Sequence, residues 1–179
     1  MHTSLVLTVI GPDRLGLVES VSAVVAERGG NWLESSMAHL AGQFAGILHI
    51  SVPAESVAEL TAELTKLQDS GLHVVVQHSD AQVLDQDGSG AGKKVIVLEL
   101  VGQDRAGIVR DISSAIATHG VNVADLKTSC EPAPMSGEML FKATAKLHIL
   151  AGTSLDELRA KLEVLASDLM VEMSLDEAD

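Results

Sequence analysis

The sequence predicts an α+β protein: two βαββαβ units in tandem, each an antiparallel sheet with both helices on one face. Three observations carry that prediction. The stretch Gly11-Pro-Asp-Arg-Leu-Gly16 returns as Gly102-Gln-Asp-Arg-Ala-Gly107, 91 positions later. Each copy stands between an unbroken apolar run and an apolar pattern at helical spacing. The same order of strand and helix signals then repeats through both halves of the chain.

The repeated turn has a physical reading. Two glycines bracketing a strand-to-helix connection point to a positive φ or a close backbone approach. Asp13 and Asp104 stand where a side-chain oxygen would cap the first N–H groups of the helix. Those N–H groups, at the positive end of the helix dipole, also suit a small anion such as a carboxylate. The plain alternative is a well-capped turn with a surface arginine. One copy would favour that alternative; two copies leave the readings level.

Taken in order, Ser4 to Ile10 reads as a strand by its β-branched, unbroken apolar content. Leu17, Val18, Val21, Val24 and Val25 then recur at helical spacing until Gly29-Gly30. Asn31 to Leu40 is a second, weaker strand, and Ala41-Gly42 turns the chain into a third, Gln43 to Val52. Ser56-Val-Ala-Glu59 has the form of a capping box before a helix striped by Val57, Leu60, Leu64 and Leu67. Ser70-Gly71 closes that helix, and Leu72 to Ser79 is the fourth strand. This is the split βαβ, or ferredoxin-like, order.

The second copy repeats each step: Val95 to Val101, then Ile108, Val109, Ile112 and Ile116, then Gly120 and Asn122. Ser154-Leu-Asp-Glu157 is again a capping box, its helix striped by Leu155, Leu158, Leu162 and Leu165, and Leu169 to Leu175 closes the unit. The offset between copies widens from 91 to 98, so seven residues are gained, most of them in Glu131-Pro-Ala-Pro-Met-Ser-Gly137. Two prolines there predict a longer loop in place of a tight hairpin continuing the ladder. That loop reads as a tolerated insertion, or as a lid or partner-binding edge. The units are placed at 1–80 and 94–179, joined by a flexible linker at 81–93 whose Asp85 to Gly92 is rich in Gly, Ser and Asp.

Composition narrows the function. The net charge is −13; residues 1–92 hold 11 acidic and 3 basic side chains and the remainder 14 and 9, so both parts are acidic. Neither offers the basic field that a phosphate backbone demands, and direct DNA binding is not expected. Aromatics are 2 % of the chain, with two Phe, one Trp and no Tyr. Strand one lacks the aromatic platform of an RNA-recognition module in both copies. Cys130 is the single cysteine, which excludes an intrachain disulfide. The start Met1-His2-Thr3-Ser4 lacks a charged leader, and no apolar run approaches about 20 residues, so a cytoplasmic protein is expected.

Catalytic patterns are absent. Gly16 and Gly107 are followed by Leu-Val and Ile-Val, not by the Lys-Ser/Thr of a P-loop. No H-E-x-x-H, G-x-S-x-G or complete calcium loop occurs, so neither a metal site nor a cofactor is expected. His49 and His148 read as edge or surface positions of strands. An acylphosphatase-like enzyme, holding phosphate through Arg14 and Arg105, stays open as the alternative.

At this level the chain resembles tandem ACT domains, small regulatory modules that bind amino acids. The resemblance rests on D-R-x-G after strand one and on Gly29-Gly-Asn31 and Gly120-Val-Asn122 opening strand two. In domain content it is most similar to the glycine cleavage system transcriptional repressor group. The resemblance implies a ligand held where a first loop meets the start of strand two, often across a domain interface. The implied ligand-binding residues are Asp13, Arg14, Leu15, Gly16, Leu17 and Asn31 in the first copy. In the second they are Asp104, Arg105, Ala106, Gly107, Ile108 and Asn122. Loop N–H groups would take the α-carboxylate, and Asp and Asn oxygens the α-ammonium. Glycine or a relative is the implied ligand and a DNA-binding activator the implied protein partner. An internal pseudo-dimer, and a homodimer, are the implied assemblies. The family's usual proline in D-R-P-G is Leu15 in one copy and Ala106 in the other.

Overall fold

The computed structural model describes residues 1–79, 94–134, 137–149 and 153–177. The chain divides into two units, Met1–Leu84 and Asp85–Asp179. The expected linker at 81–93 lies outside the described residues, as do Met135 and Ser136 of the expected loop.

In the first unit the elements are β1 (His2–Pro12), α1 (Leu17–Glu27), β2 (Asn31–Leu40), β3 (Gln43–Pro53), α2 (Val57–Lys66) and β4 (His73–His78). The second unit repeats them as β5 (Lys94–Gln103), α3 (Ile108–Thr118), β6 (Asn122–Pro132), β7 (Met139–Ile149), α4 (Leu155–Leu169) and β8 (Val171–Glu177). The sheet orders are β2-β3-β1-β4 and β6-β7-β5-β8, every neighbouring pair antiparallel. The predicted fold class is therefore what forms, with β1 and β5 as inner strands.

Alternation along the strands decides which face the helices cover. Leu5, Leu7 and Val9 are fully buried and pack with Leu17, Val21, Leu60 and Leu64 of the two helices. The second unit buries Ile96, Leu98 and Leu100 against Ile108, Ile112, Leu158 and Leu162 in the same way. No polar or charged side chain is buried among the described residues, so these cores rest on dispersion and the removal of apolar area from water. Both leucine stripes belong to them: Leu60, Leu64, Leu158 and Leu162 are buried, with Val57, Leu67, Leu155 and Leu165 packed alongside.

The first glycine of each repeated turn is fixed by contact. A β-carbon on Gly11 would lie 2.5 Å from the Gly71 carbonyl oxygen, and one on Gly102 2.3 Å from Val171 Cγ1. Each therefore lets an inner strand pass against the chain entering the last strand of its unit.

Several local expectations are corrected. Ser56 does not cap α2: it has already entered helical geometry in a 3-10 turn, Ala54–Ser56, that follows Pro53, and its side chain makes no cap bond. Ser154, still extended, accepts the Glu157 N–H at 3.3 Å as expected. The prolines do not end the second hairpin early, because Glu131 and Pro132 remain paired with Leu140 and Met139. Strand β6 lies at the sheet edge, where a residue without an N–H is tolerated. The turn beyond is closed by the Ala133 N–H donating to the Glu138 carbonyl at 2.7 Å. Leu169 ends α4 and does not open β8. His49 and His148 are half-buried on the inner strands β3 and β7, not at an edge.

Truncating Leu64 or Leu162 to alanine is expected to destabilise its own unit by about 2–5 kcal/mol, through lost transfer energy plus a cavity. Urea unfolding measures this. Weakened self-association with an unchanged unfolding midpoint would contradict the core assignment.

Candidate functional site

The turns Asp13–Gly16 and Asp104–Gly107 connect an inner strand to a helix in each unit. Gly16 and Gly107 occupy the N-cap position in the left-handed region, with φ of 85° and 87°. No side chain caps either helix, which corrects the capping role expected of Asp13 and Asp104. The aspartates come three residues before the N-cap and are tied instead to the neighbouring strands. The Asp13 N–H donates to the Gly42 carbonyl at 3.0 Å, and the Asp104 N–H to the Met139 carbonyl at 2.9 Å. The Asp13 carboxylate lies 3.6 Å from His39 Nε2 at the end of β2. Asp104 sits beside the exposed Cys130, the counterpart of His39; desolvation and then that carboxylate hold the thiol above its ordinary value.

The turn is thus held at both ends while its first helical amides lack side-chain acceptors. The Gly16 carbonyl accepts from the Ser20 N–H and hydroxyl, at 2.9 and 2.8 Å. A β-carbon on Gly16 would meet only Glu19 Oε2, at 3.7 Å, and one on Gly107 the Arg110 guanidinium, at 3.3 Å. Space over both glycines is therefore bounded by the ends of long side chains. Leu15 is fully exposed, while Leu17 and Ile108 are 3 % exposed and point into the cores. Leu17 and Ile108 would reach a ligand with their backbone alone.

The two turns differ in charge. In the second, Arg105 Nη2 donates to Asp111 Oδ2 at 2.7 Å, and Arg110 donates to Asp111 Oδ1 through Nε and Nη2 at 3.0 and 2.8 Å. The Arg110 hydrogen bonds, then the one from Arg105, hold the Asp111 carboxyl below its ordinary value. In the first, Ser20 stands in place of Asp111 and Glu19 in place of Arg110, and Arg14 has no ion pair among the described residues. The repeated motif hides this difference, but aligning the copies beyond the motif exposes it.

Asn31 and Asn122 are exposed at the starts of β2 and β6. Neither is brought to the turn of its own unit. Asn31 pairs with Ser51, which pairs with Ser4 of β1, whereas the turn leaves β1 at Pro12. Eight residues of strand separate those levels, roughly 26 Å. What lies near the first turn is the far end of β2, with His39 and the Gly42 carbonyl. Both second strands carry a bulge near the asparagine, between Trp32 and Glu34 and between Val123 and Asp125. Among the described residues no group of three His, Cys, Asp or Glu could hold a metal ion, and no helix is long and apolar enough to cross a membrane.

Two tandem βαββαβ units, each with a left-handed glycine turning its first strand into its first helix, place the chain in a class of small α+β modules. The chain belongs to the ACT domain family, whose model matches residues 3–77 and again 94–176. It is similar to UPF0237 proteins of two archaea. The one from Methanocaldococcus jannaschii is 38 % identical over 78 residues, covering 42 % of this chain and 87 % of that protein. The one from Methanopyrus kandleri is 38 % identical over 81 residues, covering 44 % and 90 %. Among solved structures, an unknown protein from Galdieria sulphuraria matches with a TM-score of 0.84 at 24 % identity over the whole of both chains. A candidate glycine cleavage system transcriptional repressor matches with a TM-score of 0.70 at 19 % identity, covering 100 % of this chain and 99 % of that one. At these identities the structural likeness is one of fold.

Asp111→Asn should alter acid stability in a defined direction. A depressed carboxyl contributes stability that is present above its unfolded value, near 3.8, and is lost as pH falls through the lower folded value. The urea midpoint of the second unit should therefore fall less between pH 5 and the acid limb in Asp111→Asn than in the parent. Equal pH dependence in the two proteins would show that the Arg105–Asp111–Arg110 group adds nothing to stability.

Proposed function

We propose that the chain is an amino-acid-sensing regulatory protein, a transcriptional regulator that works through a protein partner and does not bind DNA itself. Glycine or a close relative is the ligand and a DNA-binding activator the partner. The observation that supports this reading best is the helix start without a side-chain cap behind Gly16 and Gly107, with the space over each glycine bounded only by the ends of the Glu19 and Arg110 side chains. Amides there can take an α-carboxylate, and the Asp13 or Asp104 carboxylate an α-ammonium. Asn31 and Asn122 then serve a turn of a second copy of the chain, in the homodimer that the resemblance implies. The likeness to a candidate glycine cleavage repressor is consistent with the reading. The protein is not an enzyme on this account, and its acidic surface is read as that of a cytoplasmic protein-binding module. The phosphatase alternative draws no support from Arg105, whose guanidinium is engaged by Asp111.

Calorimetry on the purified chain tests the reading. Glycine, or another of the twenty amino acids, is expected to bind without turnover. Gly16→Ala and Gly107→Ala place a β-carbon at positive φ, a strain of about 1 kcal/mol that the fold survives. Each should abolish binding in its own unit while circular dichroism stays native. Asn31→Ala and Asn122→Ala should weaken binding by about 1.5–3 kcal/mol, one charge-assisted hydrogen bond. Full affinity in the double glycine variant would reduce the turns to helix starts. Acyl phosphate hydrolysis lost on replacing Arg105 would favour the enzyme, and a competitor-resistant operator shift at physiological salt would refute partner-mediated action.

A further inference from the structure

We infer that the groove between α3 and α4 of the second unit is a separate ligand site, in which His119 and Lys161 hold the carboxylate of a small organic monoanion. Two adjoining concavities of about 280 and 340 Å³ run along these helices, and His119, Lys161 and Val164 line both. That is the size at which small-molecule sites begin. Ala115 and Ala160 keep the floor low, and Val164, 62 % exposed, adds an apolar wall. The groove is distinct from the turn at Gly107. His119 is the C-cap of α3, about 17 Å along that helix from its first residue.

The first unit shows which chemistry belongs between the helices. There Arg28 reaches from the end of α1 toward α2, with Nη2 3.4 Å from Glu63 Oε1 and Nε 3.8 Å from Glu59 Oε2. Glu63 also accepts from Lys66 Nζ at 2.8 Å. An offset of 91 carries Arg28 onto His119, and one of 98 carries Glu63 and Lys66 onto Lys161 and Val164. The acid at the centre of the first bridge is therefore an ammonium in the second. Lys161 has no ion pair among the described residues. His119 does not cross the groove; its Nδ1 meets the Ala115 carbonyl at 2.8 Å. A carbonyl only accepts, so Nδ1 carries the hydrogen and Nε2 is the nitrogen left to the groove.

Two basic side chains thus line one groove, and neither is bonded to a carboxylate among the described residues. A ligand carboxylate takes the role there that Glu63 has in the first unit. It accepts from Lys161 Nζ and, once the ring is protonated, from His119 Nε2. The charged side chains that face the ring are Lys161, Glu157 and Asp168, all on α4. Glu157 lines one concavity and Asp168 the other, so a second carboxylate at either end is repelled. The ligand accordingly carries one carboxylate on an apolar body that lies against Ala115, Ala160 and Val164.

Hexanoate is the probe, titrated into the full chain and followed by amide NMR shifts. Shifts are expected in α3 and α4 around His119 and Lys161, saturating as one site. Hexylamine, with the charge reversed, should produce none, and adipate, with a second carboxylate, should bind more weakly. Lys161→Glu installs the first unit's residue at an exposed helix position and should abolish binding with the fold intact. Lys161→Gln should weaken it about 3-fold, the scale of a solvent-exposed ion pair. Affinity should also fall about 3-fold between about pH 5 and pH 8, where a histidine loses its charge, and His119→Gln should remove that fall. Absence of any shift with hexanoate, shifts confined to the turn at Gly107, or equal binding by hexylamine overturns the site. So does hexanoate binding that survives Lys161→Glu.

Discussion

Each unit is closed by a backbone approach too tight for a β-carbon. At Gly11 the inner strand touches the Gly71–Leu72 segment that leads into β4, and at Gly102 it touches Val171 at the start of β8. This contact places the last strand beside the first, which in turn covers the second half of the helical layer. The chain then has only a few residues in which to leave the sheet and begin a helix, and the left-handed glycine makes that reversal. The aspartate amide bonded to the neighbouring hairpin fixes the turn between these two points. A turn so held presents its amides without further ordering.

The two glycines of G-x-D-R-x-G therefore do different work, and the sequence announced both without saying which did which. Fold class, strand order and the leucine stripes were legible because periods of 2 and 3.6 recur twice at matching offsets. Finer features were not. Asp13 looks like a cap because Asp so often is one; whether it serves depends on where Gly16 turns left-handed, and that turn comes three residues too late. Ser56 and Ser154 stand in the same S-x-x-E pattern, yet only Ser154 caps, since Pro53 sends the chain into a 3-10 turn that uses up Ser56. Pro132 reads as a breaker until its edge position is known. Asn31 follows the turn by only fifteen residues in sequence, yet within its own unit it lies far from that turn, because α1 carries the chain to the other end of the sheet.

Repetition also conceals. The motif is the same in both copies, but the residues around it have been free to diverge, and they have done so together. Where Arg28 of the first unit approaches Glu63 at 3.4 Å, joining α1 to α2, the second unit has His119, whose Nδ1 meets the Ala115 carbonyl of its own helix. The first unit fills the space under its helix with Trp32 and Met37, and the second spends that volume differently. Paired charges surround the second helix start, where the first has Ser20 hydrogen-bonded to the backbone.

The sheet faces that point away from the helices differ between the units as well. On the first unit Ile10, Ile47 and Val75 stand about half exposed on the face away from the helices, with no lysine or arginine among their strand neighbours. On the second, Lys127, Lys142 and Lys146 alternate with Asp125 and Glu131, and Lys142 Nζ lies 2.6 Å from Glu131. An apolar face gains by exclusion of water whatever meets it, while a face of interleaved charges is well solvated and gains little. The excess of carboxylates over the whole chain adds a long-range preference for basic surfaces and against polyanions, and it weakens with salt. Steering of this kind acts on encounter more than on final affinity. Any surface meeting that face would accordingly gain affinity from the apolar patch and speed of encounter from the surrounding acid.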